Sequence, residues 1–239
     1  MGLEQGKETP EVKTATKIAG IIFLLLSIAD IVCLALGDEA TPMYIKPFLM
    51  PSLAAAALMQ LLPENKGRMP ILLAIGLSFH TAGDILLMFD GFTCFAAGLG
   101  CFLIGHFFYL AILLSGMGGL KGWKEILCLL VPMVLAPVLV MLFGVEWPFS
   151  AVVTVYAFTL MVVAASGVLW ALRGKAFATR IIVGGIIFII SDSLIAISSF
   201  AGIDFPFRHA LVMLTYVTAE WLLVSGMVRE RISSTHPRP

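Results

Sequence analysis

Charge is what this chain has least of. Asp, Glu, Lys and Arg make up 13% of its 239 residues, hydrophobic residues 60%, and the net charge is zero. Soluble domains carry about a quarter charged residues, and a mean hydropathy of +1.02 excludes a soluble domain of this length. Cysteine is scarce too. The four present (Cys33, Cys94, Cys101, Cys128) show no CxxC spacing and lie in or beside apolar runs, so they read as packing residues rather than disulfide or metal ligands. No Gly-x-Ser-x-Gly elbow occurs, which argues against a standard serine lipase. The first 16 residues, MGLEQGKETPEVKTAT, hold no apolar core and are not a cleaved signal peptide; the first apolar run is expected to act as its own signal.

Long apolar runs fill the rest. Measured against the roughly 20 residues that cross a bilayer, they give eight candidate spans at 17–36, 44–62, 70–88, 93–114, 124–143, 149–172, 179–201 and 207–228. Short connections carrying Gly or Pro separate them. Backbone in lipid must satisfy its own hydrogen bonds, so the spans are expected to be helices. Of the 15 Lys and Arg, all but Lys46 and Arg208 fall in the N-terminal segment, the alternate loops after spans 2, 4 and 6, or the C-terminal tail. That bias predicts both termini in the cytoplasm. The expected architecture is all-α, a polytopic membrane protein with a bundle of eight transmembrane helices. It divides into a cytoplasmic segment 1–16, a transmembrane domain 17–228 and a cytoplasmic tail 229–239. The location is an integral, multi-pass one, in the cell membrane if the source is bacterial. The bilayer is the expected partner and nucleic acid is not.

Glycines inside the spans, among them Gly98, Gly100, Gly105, Gly184 and Gly185, predict close helix contacts. Pro132 and Pro137 are expected to kink or loosen span 5. AGDILL in span 3 and ISDSLI in span 7 are similar stretches four helices apart, as a parallel four-plus-four duplication would place them.

Against this apolar background several ionisable residues stand out: Asp30, His80, Asp84, His106, Asp192 and Glu220, with Lys46 just inside span 2. A charge at the centre of a spanning helix costs roughly 2.5–3.5 kcal/mol on insertion scales, so such residues face the bundle interior and serve a purpose. His80, His106, Asp192 and Glu220 fall near the midplane, with Asp84 and Asp30 about 5–8 Å toward the non-cytoplasmic side. Tyr156 and Tyr216 lie at similar depths. His80 and Asp84 share a helix face, as do His106 and Tyr109. The plainest use of these groups is interhelical hydrogen bonding; two buried acids, Asp84 and Asp192, cost more than packing requires.

Three readings follow from the residues. Paired carboxyls could act as acid and base in an intramembrane hydrolase, because burial favours the neutral form of one while the other stays ionised; Ser191 and Ser193 flank Asp192. Asp84, His80 and Glu220 could relay protons in a coupled transporter, although only span 5 carries the proline interruptions common in carriers. His80, Asp84 and His106 could hold zinc, but a third histidine at the right depth is missing, since His209 begins a span and His236 lies in the tail.

YIKPFLMP at 44–51, Gly83-Asp84, GHFFY at 105–109, Tyr156, ISDS at 190–193 and TYVTAE at 215–220 occur in an order that resembles the YhhN family of lysoplasmalogenase-like membrane proteins. Glu220 departs from the amide or other polar residue expected there. The resemblance implies hydrolysis of the vinyl ether bond of a lysophospholipid substrate, the lysoplasmalogen, to a fatty aldehyde and a glycerophospho-alcohol. It also points to Asp84 and Asp192 as the active acids, with no cofactor and no metal. On that reading His80 tunes Asp84 from one turn away, while Tyr109, Tyr156 and Tyr216 hydrogen-bond within the cavity. Lys46 holds the substrate phosphate or forms a salt bridge to an acid.

Overall fold

The computed structural model describes residues 10–63, 67–115 and 117–235; residues 1–9 and 236–239, with His236, lie outside the described residues. Eight helices follow one another: α1 (Pro10–Ala35), α2 (Pro42–Leu61), α3 (Met69–Leu86), α4 (Phe92–Leu113), α5 (Trp123–Leu142), α6 (Phe149–Leu172), α7 (Ala178–Ser199) and α8 (Arg208–Thr235). No strand occurs among the described residues. Each helix coincides with one apolar run. α1 and α8 extend beyond theirs, because helical hydrogen bonding continues into the charged flanks.

Seven of the eight helices are long and apolar enough to cross a membrane. The one that falls short is α2, which has 20 residues but contains Lys46, Gln60 and the interior prolines Pro47 and Pro51, so span 5 is not alone in carrying prolines. Those residues lower its mean hydropathy rather than its length.

The helices pack in a ring. α1 lies against α2, α2 against α3, α3 against α4, α4 against α6, α6 against α7, α7 against α8, and α8 returns to α1. α2 also touches α8, and α5 stands outside the ring with α6 as its one extensive neighbour. The packing of the first four helices is echoed in the last four, since α1·α2, α2·α3, α3·α4 and α4·α6 correspond to α5·α6, α6·α7, α7·α8 and α8·α2. The symmetry breaks at one place. α8 packs on α1, whereas its counterpart pair, α4 and α5, does not pack extensively.

Lipid solvates apolar side chains as well as protein does, so contacts inside the ring depend on close packing and hydrogen bonds. At Gly185 an added Cβ would lie 2.6 Å from Ala164 Cα, so α6 and α7 meet backbone to backbone only because that side chain is absent. At the end of the bundle where α6 finishes, Arg173 donates through Nε and Nη2 to Glu125 at 3.0 and 2.9 Å. It also donates to the carbonyls of Met117 and Gly119, clamping the start of α5 and the connection before it onto α6.

Candidate active site

The opposite end of the ring is hollow. A cavity of about 540 Å³ is lined by the C-terminal parts of α3, α5 and α7, the N-terminal parts of α2, α4, α6 and α8, and the α3–α4 connection. That volume is within the usual range for a small-molecule site. Its walls are largely apolar, with Phe92, Phe95, Leu99 and Phe102 from α4, Leu139, Val140 and Phe143 from α5, and Leu160 and Met161 from α6.

Both aspartates face this cavity. Asp84 belongs to α3 and Asp192 to α7, so the two similar sequence stretches bring one carboxyl each to a common space. Each is held by a tyrosine from a different helix. Tyr216 of α8 donates its hydroxyl to Asp84 Oδ2 at 3.0 Å, and Tyr156 of α6 donates to Asp192 Oδ2. Both tyrosines line the cavity as well. Such bonds favour a defined carboxyl orientation. Ser191 also lines the cavity, but its hydroxyl donates to the carbonyl of Val212 at 3.1 Å. Ser193 likewise donates to Ile189 O at 2.7 Å. Both hydroxyls thus serve the backbone, and neither is set up as a nucleophile.

Below the aspartates lies a second polar layer that does not reach the cavity surface. His80, His106, Tyr109 and Glu220 are each completely buried. Tyr109 donates to Glu220 Oε2 at 2.6 Å, while His80 Nδ1 lies 2.6 Å from Glu220 Oε1, a close polar contact off the hydrogen-bond direction. His80 is therefore turned toward Glu220, and the hydrogen-bond partner of Asp84 is Tyr216. His106 donates from Nδ1 to the carbonyl of Phe102 at 2.8 Å, and its ring stacks edge-on to Phe188, with centroids 4.6 Å apart. Phe188 lines the cavity from below and separates the two layers. The His80 ring occupies the place where a side chain at residue 105 would stand, so only glycine there lets α3 and α4 close over it. GHFFY at 105–109 thus supplies the gap for one histidine, the second histidine, and the tyrosine that binds Glu220.

Asp30 of α1 is apart from both layers. It is fully buried, neither carboxyl oxygen has a hydrogen-bond partner, and it does not line the cavity. Lys46 of α2 does line it, and among the described residues makes no salt bridge. Among the described residues no group of three or more His, Cys, Asp and Glu is placed to hold a metal ion.

The cavity also contains residues to which the sequence drew little attention. Arg208 and His209, the first two residues of α8, are part of its lining, as are Asp90 and Ser198. Cations near span ends ordinarily reach toward the interface, so nothing in Arg208 by itself distinguishes it. Its pairing with Lys46 as the two basic residues outside the majority pattern was the available signal.

Searches of curated proteins and of solved structures give no match. Residues 41–227 run from the residue before α2 well into α8 and include both aspartates, the tyrosines that hold them and the whole buried layer beneath. Over that span the sequence matches the family model, and the chain belongs to the YhhN family.

Proposed function

We propose that the protein is an intramembrane hydrolase that cleaves the vinyl ether bond of lysoplasmalogens. The observation that carries this reading is the convergence of Asp84 and Asp192 on one largely apolar cavity, each with a tyrosine hydroxyl on one oxygen. Family membership supports it.

The chemistry needs an acid and a base. One carboxyl, protonated, delivers its proton to the vinyl carbon remote from the ether oxygen, and the π electrons form the new C–H bond. The resulting oxocarbenium ion is stabilised by the second, ionised carboxylate. That carboxylate then takes a proton from water as the water oxygen adds to the carbon bearing the ether oxygen. The hemiacetal collapses by breaking its C–O bond to the glycerol, giving a fatty aldehyde and a glycerophospho-alcohol. As that bond breaks, the carboxyl that took the proton from water gives it to the departing glycerol oxygen, and the carboxylate left by the first step takes the proton of the hemiacetal hydroxyl, which restores the starting state. Water is the only co-reactant.

We place the entry of the hydrocarbon chain between α4 and α5, which do not pack extensively although both line the cavity. The cavity-lining residues of these two helices, Phe95 and Leu99 of α4 and Leu139 and Phe143 of α5 among them, are apolar, as a chain arriving from the bilayer requires. We also propose that α2 crosses the membrane with the other seven, giving eight spans over 17–228, with segments 1–16 and 229–239 in the cytoplasm. The charge bias and the packing of α2 on α1, α3 and α8 support that arrangement.

The test is aldehyde release from a lysoplasmalogen by purified protein in detergent with a chelator present, with an ester-linked lysolipid as control. Activity is expected to survive chelation and to fall by about 10²–10⁴-fold in both Asp84→Asn and Asp192→Asn, the size of a general acid–base contribution. Loss on chelation transfers the chemistry to a metal. Proton-dependent uptake into vesicles with no turnover of any lysolipid makes the protein a carrier.

A further inference from the structure

Arg208 and Lys46 are the two basic residues outside the pattern followed by the other Lys and Arg, and both line this cavity. Two exceptions from separate helices, arriving at one hollow, call for a common cause. Arg208 is oriented by its neighbours. Its Nη1 donates to Ser198 Oγ at the end of α7 at 2.7 Å, and its Nη2 donates to His209 Nε2 at 2.7 Å. The second contact uses the imidazole as acceptor, so His209 is neutral in this arrangement and serves to aim the guanidinium. Asp204 approaches Nε at 3.6 Å but is 85% exposed, a weak and well-screened partner. Asp90 is the other acid of the rim. Remaining N–H groups of Arg208 are left to meet an anion, while the Lys46 ammonium also acts electrostatically on Asp30 and Asp84 and so contributes the smaller share.

The wall formed by α4, α5 and α6 is oily, the side formed by the starts of α2 and α8 is basic, and the aspartates lie on the same cavity surface. We propose that Arg208, assisted by Lys46, binds the phosphate of a single-chain lipid headgroup and so fixes the lipid with its chain toward α4 and α5. A guanidinium matches two phosphate oxygens at once, which sets orientation as well as affinity. This assignment rests on the hydrolase reading in taking the cavity as the substrate's place.

Binding without turnover separates the two. The full-length protein is titrated with a saturated alkyl-ether lysophospholipid, which has no vinyl ether to cleave, and with the uncharged alkylglycerol of the same chain. The phospholipid is expected to bind about tenfold more tightly, the worth of a charge-assisted hydrogen bond. Arg208→Gln should remove most of that difference and leave alkylglycerol binding unchanged. Arg208→Lys should keep part of it, and Lys46→Gln should reduce it by a smaller factor. Equal affinity of the two lipids for the unmodified protein, or an Arg208→Gln variant that loses both equally, overturns the assignment. So does glycerol 3-phosphate binding as tightly as the lipid, which would make this a site for a free anion. Headgroup discrimination in a protein that hydrolyses nothing would leave the phosphate site standing and remove the hydrolase.

Discussion

Replacing Glu220 by leucine tests the buried layer that supports the aspartates. Glu220 is fully buried, and its two oxygens meet Tyr109 at 2.6 Å and His80 at 2.6 Å. Leucine has similar bulk but accepts nothing, so the Tyr109 hydroxyl loses its hydrogen-bond acceptor and His80 its nearest polar contact. The stranded Tyr109 hydroxyl costs about 1–3 kcal/mol, and the lost His80 contact adds to that. Interhelical hydrogen bonds in membranes average only about 0.6 kcal/mol in mutant cycles, because an unfolded chain in lipid finds other partners. His80 has little choice of a new one, since it is enclosed by Phe102, His106, Tyr109 and Phe188. Glu220→Gln keeps a carbonyl for Tyr109, so it should lose clearly less than the leucine variant. Reversible denaturation in mixed micelles measures both variants, with aldehyde release followed in parallel. A leucine variant as stable as the glutamine one would refute the reasoning, since it would mean that neither Tyr109 nor His80 depends on this carboxyl.

Other substitutions bear on the layer above. Tyr156→Phe and Tyr216→Phe each remove one donor from an aspartate without opening a large space, and each is expected to lower turnover by about tenfold, as loss of one hydrogen bond to a charged group does; undiminished rates in both would separate the tyrosines from the chemistry. Gly105→Ala places a methyl group in the position of the His80 ring. It should cost about 1–3 kcal/mol of stability as an overpacked core does, read as a lower melting temperature, whereas Gly100→Ala, with open space around its Cβ position, should leave the melt unchanged.

Much of the fold was written in the hydropathy of the chain. Each span expected from an apolar run became a helix with similar limits, and the discrepancies have plain causes: α1 and α8 continue as helix past their oily stretches, and the charge and prolines of α2 reduce its hydropathy without shortening it. Asp84, Asp192 and Glu220 were conspicuous because a carboxyl is expensive in lipid. What the sequence could not reveal is lateral position. Position along a run puts Asp192, His106 and Glu220 together near the midplane, yet Asp192 borders the cavity whereas His106 and Glu220 are sealed away from it. The tyrosine partners were hidden for the same reason, since Tyr216 and Asp84 are joined across 132 residues of sequence. His80 pointed to Asp84 by spacing, yet Glu220 from α8 claims its ring nitrogen.

The sealed layer formed by His80, His106, Tyr109 and Glu220 has a consequence for traffic. A vessel with a solid base is emptied through its top or its side, so reactant and products share the same doorways. Under the hydrolase reading, the aldehyde and the headgroup fragment both depart from the half of the membrane that supplied the lipid. Each competes with the next molecule for its berth, and accumulating product slows the enzyme before reactant runs out.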